Sequence, residues 1–458
     1  MSRITNINEY NEHYNLSLKD TDAYWSKIAD ELHWFKKWDR VQTGNFEDLN
    51  VKWFEGAKTN MSYNCLDRHL DTRGDKVAVI YEDNDPKVAP RTFTYKELHA
   101  EVCRMANVMK DNGIQKGDRV CFYMSMVPEL LIGVLACTRI GAIHSVVFGG
   151  FSAQALAGRI QDSECKMVIT NDGGYRGDKI IPLKAITDEA LKDCPSIEKV
   201  LVMKRTGCDV DWKEGRDLSL RELMDAASTD CPAVELDSED PLFILYTSGS
   251  TGKPKGLLHT TAGYMTYAYH TFRNVFQVEE NDIYWCTADI GWITGHTYIT
   301  YGPLLNGSTT VMFEGVPTWP DAGRFWEICD KLKVTHFYTA PTAIRALEAC
   351  DISYVKKHSL STLKVLGSVG EPINEEAWSW YNKNIGKEKC PIVDTWWQTE
   401  TGGIMISPLA GITELIPAHA TKPLPGVEPV LVDAEGKIIE GDPAEGNLCI
   451  NRPWPGMA

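Results

Sequence analysis

One glycine-rich segment has the residue types that bind a polyphosphate. Residues 246–256 read Tyr-Thr-Ser-Gly-Ser-Thr-Gly-Lys-Pro-Lys-Gly and directly follow an apolar strand pattern. Glycines let backbone N–H groups approach an anion, hydroxyl groups donate further hydrogen bonds, and lysines supply positive charge. The alternative, a solvated surface linker, explains neither the two lysines nor the attached strand. The segment therefore predicts a phosphate-binding loop in which Lys253 meets the phosphates.

Other phosphate-binding and nucleophilic motifs are excluded. A Walker A loop needs glycine where this chain has Thr247 and serine or threonine where it has Pro254. Ser250 has no Lys-Thr-Gly or Ser-Asp-Asn companion elsewhere, so an acylating serine is not indicated. The 11 histidines form no His-Glu-x-x-His motif, and neither Gly-x-Ser-x-Gly nor Gly-x-Gly-x-x-Gly occurs. The loop therefore indicates binding of a charged substrate rather than a protein nucleophile.

The composition limits the classes of protein to which the chain can belong. It has 458 residues, 43% of them apolar, which is enough for a large core in about three structural units. Acids outnumber lysines and arginines by 63 to 47, and the formal charge of −16 disfavours binding to nucleic acid or an anionic membrane. The most apolar stretch, residues 130–136, is far shorter than the roughly 20 residues that span a bilayer. We therefore expect a soluble globular protein.

The cysteines and the first residues predict a cytoplasmic location. Thirteen cysteines are scattered singly along the chain, and Cys121, Cys137 and Cys449 lie in apolar runs. Cysteines of this kind behave as small reduced hydrophobic residues rather than as a disulfide framework. Residues 1–14 contain no apolar run typical of a secretory signal.

Strand and helix patterns alternate along the chain, which predicts an α/β protein with parallel sheets covered by helices. Asp20 or Thr21 can cap a helix near the start of the chain, Thr94 is predicted to begin a helix that runs through Met109, and Pro128 begins another. The predicted strands are 77–81, 119–124, 142–148, 166–170, 199–203, 243–246, 309–313, 335–339, 364–369, 391–395, 430–432 and 446–451.

Four segments follow from these patterns. Residues 1–75 are predicted to be a helical N-terminal extension, and residues 76–240 a first α/β subdomain. Residues 241–407 are predicted to be a second α/β subdomain. From residue 408 short strands alternate with glycine and proline turns, which predicts a small β-barrel-like or β-sandwich subdomain. Because the chain stops directly after a strand and a turn, we expect this last subdomain to be truncated.

Four ordered motifs resemble those of the adenylate-forming superfamily, which includes acyl-CoA synthetases, luciferases and the adenylation modules of peptide synthetases. Within it, the chain is similar to the AMP-forming acetyl-CoA synthetases from about Tyr24 to its last residue. The resemblance implies the large N-terminal body of that fold, with two helix-covered β-sheets packed together. Beyond the phosphate loop, the motifs are residues 285–292 (Trp-Cys-Thr-Ala-Asp-Ile-Gly-Trp), 367–372 (Gly-Ser-Val-Gly-Glu-Pro) and 394–403 (Asp-Thr-Trp-Trp-Gln-Thr-Glu-Thr-Gly-Gly).

The resemblance implies an ATP site with a magnesium ion. Thr247 and Glu400 resemble the pair that places Mg²⁺ on the phosphates, and with Lys253 they would be the catalytic residues. Oxygen ligands suit this hard cation, and loops that follow strands suit a nucleotide. A solvated surface acid is the alternative for Glu400. The residues that resemble the adenine and α-phosphate site are Gly370, Glu371, Pro372, Asp394, Thr395, Trp396, Trp397, Gln398 and Thr399.

The resemblance also implies an acyl pocket. Trp397 would close the pocket beyond one methyl group, and Ile293, Thr294 and Val369 resemble its other walls. The family's acetate enzymes usually have valine where this chain has Ile293, which narrows the pocket slightly. Without the motif, Trp397 would instead be assigned to core packing, because tryptophan is highly buried on average.

A coenzyme A site is implied by a third set of residues. The family commonly has a second arginine where this chain has Lys179, which keeps the charge but loses the bidentate fork. Asparagine is frequent where this chain has Thr318. For Arg176 the alternative is an ordinary surface arginine. The full set is Arg176, Gly177, Asp178, Lys179, Thr294 and Thr318.

The implied activity is that of an acetate–CoA ligase, which forms acetyl-CoA, AMP and pyrophosphate from acetate, ATP and CoA through acetyl-adenylate. A propionyl-CoA or other short-chain acyl-CoA synthetase is disfavoured by Trp397 together with Val369. A nucleotide-binding fragment without turnover is the third reading. Members of the family continue into a small mobile C-terminal domain whose lysine serves adenylation. We predict that this domain is absent here and that these residues alone bind ATP weakly and do not turn over; the oligomeric state stays open.

Overall fold

Two seven-stranded sheets form the framework of the computed structural model, which describes residues 3–47, 49–247 and 254–458. In each sheet the first six strands are parallel and the last is antiparallel. Sheet A has the order Asp217–Ser219, Lys199–Met203, Met167–Asn171, Arg119–Tyr123, Ile143–Val146, Pro241–Thr247 and Lys255–Thr260. Sheet B has the order Ile392–Asp394, Val365–Ser368, His336–Thr339, Ile283–Cys286, Thr309–Phe313, Val77–Glu82 and Arg91–Thr94.

Helices cover these sheets, and two of them are buried on all sides. Every residue of Pro128–Ile140 is buried, as are all but one of Thr261–Phe276. The α-helices are Ile7–Lys19, Thr21–Ala29, Met61–Cys65, Leu70–Arg73, Tyr95–Asp111, Pro128–Ile140, Ala153–Ser163, Leu183–Ala190, Leu220–Ala226, Thr261–Phe276, Ile293–Gly295, Gly302–Leu305, Arg324–Leu332, Pro341–Glu348, Ser353–Lys356 and Glu375–Trp380. Shorter 3₁₀ turns are Asp67–His69, Leu191–Asp193 and Thr399–Thr401, and π-helical turns are His296–Tyr301 and Tyr381–Ile385.

The predicted helix starts are confirmed by their caps. The Thr94 side chain accepts from the backbone N–H of Glu97, and the Glu97 carboxylate accepts in return from the N–H of Thr94. Pro128 is the first residue of its helix, which ends at Gly141 with a φ of 73°. Such reciprocal bonds satisfy backbone donors that an isolated helix end leaves free. The α/β class is confirmed, and no helix among the described residues combines the length and apolar character needed to cross a bilayer.

Each of the two large sheets contains strands from both predicted α/β subdomains. Val77–Glu82 and Arg91–Thr94 lie in sheet B, whereas Pro241–Thr247 and Lys255–Thr260 lie in sheet A. The predicted boundary between residues 240 and 241 therefore does not separate the strands of one sheet from those of the other. The limits of the four predicted segments stay a prediction.

The N-terminal segment contains short strands as well as the predicted helices. Arg40–Thr43 pairs with Lys52–Glu55, and Lys58–Thr59 pairs with Leu236–Asp237. The Tyr10 hydroxyl donates to the carbonyl of Pro423 over 2.8 Å, which ties the first helix to the last part of the chain.

The last part of the chain does not close the predicted barrel within the described residues. Pro429–Val432 pairs with Asn447–Ile450 in an antiparallel two-stranded sheet. Three residues of the second strand are exposed. A barrel requires each strand to pair on both sides, and beyond this pairing the first strand has only a single bridge, from Val432 to Ile438, within the described residues. The described residues of 408–458 therefore form no closed barrel, although the short strands on which the expectation was based are present.

Candidate functional site

The predicted motifs meet at one edge of sheet B. Residues 287–294, 369–372 and 395–400 each follow a parallel strand of this sheet, namely Ile283–Cys286, Val365–Ser368 and Ile392–Asp394. Since the carboxyl ends of parallel strands lie at the same edge, the three segments are brought together there. Thr318 lies beyond the end of a fourth strand, Thr309–Phe313.

Hydrogen bonds at the strand ends fix the segment that begins at Thr395. The Thr395 N–H and hydroxyl both donate to the carbonyl of Ser368, over 3.1 and 2.8 Å. The Tyr338 hydroxyl lies 2.7 Å from the Thr395 hydroxyl oxygen. Trp396 then pairs with Ile406 through its backbone. The segment therefore leaves the sheet in a defined direction.

Trp397 is held by two tyrosines. Its indole Nε1 lies 3.4 Å from the Tyr338 hydroxyl, and its ring meets the Tyr298 ring edge-on, with centroids 5.0 Å apart. Tyr298 lies on the π-helical turn that follows Ile293–Gly295. Trp397 stays partly exposed, so one side of the indole is free to border a ligand.

The other predicted acyl-pocket residues are buried near the same sheet edge. Ile293, Thr294 and Val369 expose 7%, 9% and 5% of their surface. Ile293 and Val369 belong to the main apolar cluster, and Trp397 packs against that cluster. The structure thus brings the apolar members of the predicted pocket to one part of the molecule.

The Gly370-Glu371-Pro372 turn is exposed, and its carboxylate has protein partners. Arg345 lies 2.9 Å from the Glu371 carboxylate, and the Thr342 hydroxyl donates to it. These two groups, Thr342 first, lower the pKa of Glu371. Gly370 has a φ of 97°, a conformation that favours glycine. Glu371 therefore anchors the turn to the helix Pro341–Glu348.

Asp394 is a buried acid at the end of its strand. It exposes 6% of its surface, and its Oδ1 has no hydrogen-bond partner within the described part of the chain. Burial raises the pKa of Asp394 to about 7. The carboxyl group is therefore largely neutral below that pH.

The phosphate loop is only partly described. Ser248 to Lys253 lie outside the described residues, so the position of Lys253 stays a prediction. Thr247 and Lys255 pair across the antiparallel hairpin that ends sheet A. The hairpin therefore holds the two ends of the loop side by side.

A histidine links this hairpin to the segment of Glu400. His259 Nε2 donates to the carbonyl of Thr399 over 2.8 Å. His259 pairs with Phe243, four residues before Thr247, which is roughly 13 Å along the strand. The described residues record no hydrogen bond between Thr247 and Glu400, and Glu400 is exposed. The structure joins the two elements, and the magnesium pair itself stays a prediction.

His259 was not identified from the sequence. Burial lowers its pKa to about 4, so it is neutral near pH 7 and can donate from Nε2. The sequence around His259, which follows the phosphate-binding loop, did not indicate this contact, because the partner carbonyl is 140 residues away.

Four of the six predicted coenzyme A residues, 176–179, lie on a small hairpin beside a cleft of about 70 Å³. Gly174–Arg176 pairs with Lys179–Ile181, and Arg176 lines the cleft with its guanidinium 5.7 Å from the centre of the Phe148 ring. Arg176, Asp178 and Lys179 are exposed. Thr294 is not among the cleft-lining residues.

The hairpin turn lies against the segment that carries Thr318. A Cβ on Gly177 would lie 3.4 Å from the side chains of Trp319 and Val316. Gly177 has a φ of 65°, which also favours glycine. The structure therefore places Gly177 beside the Thr318 segment, as a shared site requires.

Asp289 lies in the same cleft. Its Oδ1 accepts from the N–H of Gly291 over 2.7 Å, and burial raises the pKa of Asp289 to about 6 against the opposing effect of Arg176. Asp289 stood in a recognised motif, but the sequence gave it no role.

A second and larger cavity, of about 760 Å³, carries none of the predicted site residues. Its lining cations have protein partners: Arg73 and Lys76 contact Glu280, and Arg273 contacts Glu31. The motifs, rather than this volume, therefore locate the candidate site.

Comparison with known proteins gives two family matches. The model described as "AMP-binding enzyme" matches residues 66–458, and "Acetyl-coenzyme A synthetase N-terminus" matches residues 10–65. The chain is 56% identical over 455 residues to an acetyl-coenzyme A synthetase of Magnetococcus marinus, covering 99% of this chain and 70% of that protein. It is 57% identical over 449 residues to an acetyl-coenzyme A synthetase of Alkalilimnicola ehrlichii, covering 98% and 69%. The identity to acetyl-coenzyme A synthetase 2 of Pseudomonas putida is 55%, again over 98% and 69%.

Proposed function

Because this chain belongs to the AMP-binding enzyme family and carries the N-terminal segment of acetyl-coenzyme A synthetases, we propose that it acts as an acetate–CoA ligase. The observation that carries the proposal is the meeting of the motif segments at one edge of sheet B, with a partly exposed Trp397 fixed by Tyr298 and Tyr338. Identities of 54–57% to proteins named acetyl-coenzyme A synthetase support acetate as the acid.

The first half-reaction would form acetyl-adenylate. A carboxylate oxygen of acetate attacks the α-phosphorus of ATP, the bond to the bridging oxygen breaks, and pyrophosphate leaves. The segment after Asp394 and the turn at Gly370 would hold the adenine and α-phosphate, while the loop with Lys253 would hold the leaving pyrophosphate. No protein nucleophile is needed, so catalysis consists of positioning and of stabilising developing phosphate charge.

Magnesium would be held by Thr247 and Glu400. One hydroxyl and one carboxylate are hard oxygen donors of the type that this ion takes beside substrate phosphates and water. The ion would neutralise phosphate charge when bound. Glu400 is exposed.

The second half-reaction would transfer the acetyl group to CoA. The thiol sulfur forms a bond to the acetyl carbonyl carbon, the thiol proton is released, and AMP leaves with the electrons of the broken acyl–oxygen bond. The cleft beside Arg176, Gly177 and Lys179 would border part of CoA, and Arg176 supplies an exposed cation for a phosphate.

A cytoplasmic location is part of the same proposal. All thirteen cysteines are free, and ten of them are buried. Free cysteines in this number are typical of a reducing compartment.

Pyrophosphate release from ATP, measured with acetate, propionate and butyrate in turn, tests the activity on a version that carries the family's C-terminal domain, because these residues alone are predicted not to turn over. We expect acetate to give the highest kcat/KM and acetyl-CoA to appear only when CoA is added. A higher kcat/KM with propionate would favour the short-chain alternative instead. ATP binding by titration calorimetry without pyrophosphate release would identify a nucleotide-binding protein.

Lys253→Ala should weaken the first half-reaction selectively. The lysine would meet charge only on the β- and γ-phosphates, so its loss should slow adenylate formation tenfold or more, while AMP affinity changes little. ATP–pyrophosphate exchange, compared with thioester formation from preformed acetyl-adenylate, measures both steps. Lys255→Ala, two residues away on the strand, is the matched control. Equal losses in the two half-reactions would contradict the role given to Lys253.

A further inference from the structure

The hairpin that carries Arg176 belongs to neither large sheet. Gly174–Arg176 and Lys179–Ile181 pair only with each other. The hairpin follows the strand Met167–Asn171 of sheet A, yet its turn lies against residues that follow strands of sheet B. Since no ladder of backbone bonds fixes it, side chains must set its position.

Asn84 holds the hairpin turn. The Gly177 N–H donates to Asn84 Oδ1 over 3.1 Å, and Asn84 Nδ2 donates to the Gly177 carbonyl over 2.9 Å. Asn84 exposes 3% of its surface and follows the sheet B strand Val77–Glu82. One amide side chain therefore satisfies both backbone groups of the turn glycine, which fixes orientation as well as distance.

Glu314 holds the hairpin one residue before Arg176. The Tyr175 N–H donates to Glu314 Oε1 over 3.3 Å, and the Tyr81 hydroxyl donates to Oε2 over 2.8 Å. Glu314 exposes 1% of its surface, so its charge needs a partner. Arg205 supplies it, with Nε 2.8 Å from Glu314 Oε2.

Arg205 also connects this contact to both sheets. Its guanidinium lies 4.7 Å from the centre of the Tyr175 ring and donates to Asp83 over 2.7 Å. The backbone N–H of Arg205 donates to Asp172, which follows the sheet A strand Met167–Asn171. The hairpin, which borders the cleft, is thus held at two points, by Asn84 and by the Glu314–Arg205 pair.

We propose that Asn84 is a positioning residue for coenzyme A, with the Glu314–Arg205 pair as a second support of the hairpin. This inference rests on the proposed function. Asn84 holds Arg176 and Gly177 in place for CoA and takes no part in forming the adenylate. The buried amide thus links the end of a sheet B strand to the thioester-forming half-reaction.

Asn84→Ala tests the proposal through the two half-reactions. Losing two hydrogen bonds should raise KM for CoA about tenfold, while ATP–pyrophosphate exchange with acetate changes less than about twofold. Hydrogen–deuterium exchange supplies a readout without activity: residues 174–181 should exchange faster in the variant. The matched control is Asn107→Ala, because Asn107 Nδ2 also donates to two loop carbonyls, those of Ser228 and Asp230, away from the hairpin.

A second variant keeps the test decisive if Asn84→Ala does not fold. Arg205→Lys keeps the charge but loses the fork that reaches Glu314 and Asp83, so it should raise KM for CoA to a smaller extent. Protein that carries the family's C-terminal domain and the wild-type residues but forms no acetyl-CoA would overturn the proposed function, while the exchange of residues 174–181 would still decide whether Asn84 holds the hairpin. Active wild-type protein with an unchanged KM for CoA in both variants would overturn the inference. Equal losses in adenylation and thioester formation would do so too.

Discussion

Trp397→Gly should let the enzyme accept longer acids. Each methylene placed in an apolar pocket is worth about 1–3 kcal/mol, and butyrate has two more than acetate. If the indole closes the pocket, its removal should reduce the preference for acetate over butyrate by one or more orders of magnitude. The measurement is kcat/KM for acetate, propionate, butyrate and valerate in the pyrophosphate-release assay.

The contacts of Trp397 predict how the variant will behave otherwise. The indole meets Tyr298 edge-on and Tyr338 through Nε1, but it is only partly buried. The variant should therefore lose stability without unfolding, and Trp397→Phe, which keeps a ring against Tyr298, should give an intermediate chain-length profile.

Trp396→Gly is the matched control for this change. It removes the same side chain one position earlier, where the backbone pairs with Ile406. Its chain-length profile should stay that of the wild type. A folded Trp397→Gly protein with an unchanged preference for acetate would show that the indole does not border the acyl group.

Local sequence patterns predicted most of the framework. The capping residues Thr94 and Glu97 mark a helix start by bonds within three residues, and the buried strand Thr309–Phe313 is a continuous β-branched and apolar run. Arg91–Thr94 was missed because an edge strand is polar and half-exposed. Which sheet each strand joins depends on pairing between distant segments, and a local pattern does not carry that information.

The same distinction divides the site. Motif residues such as Trp397 and Asp394 were found because their neighbours in the chain identify them. Asn84 has no such neighbours, since its partner Gly177 is 93 residues away and its burial appears only in the folded chain. Residues that hold other residues in place are therefore the part of the site that a single sequence leaves out.

Asp394→Asn should make folding less dependent on pH. Burial raises the pKa of Asp394 to about 7 from its ordinary value of 3.8, so the folded state binds a proton that the unfolded state has already released between these two values. The free energy of unfolding then falls as pH rises from about 4 to about 7 and is constant above that range. At 1.36 kcal/mol for each unit of pH, this group should lower the free energy of unfolding of the wild type by about 2–3 kcal/mol between pH 5 and pH 8.

The neutral amide removes that cost. Asp394→Asn should therefore gain stability over the wild type as pH increases, with the difference largest at pH 8. Urea unfolding of both proteins at pH 5 and pH 8 measures it, and comparing the two cancels the other groups that titrate in this range.

Asp289→Asn is the internal comparison, because burial also raises the pKa of Asp289, but only to about 6. Its gain between pH 5 and pH 8 should be about half as large, since one unit rather than two of the shift lies within that range. Equal pH dependence in wild type and Asp394→Asn would mean that the Asp394 carboxylate is ionised and paired in the folded protein. The unpartnered Oδ1 would then have to bind water or a cation at the strand end, where the adenine and α-phosphate are proposed to lie.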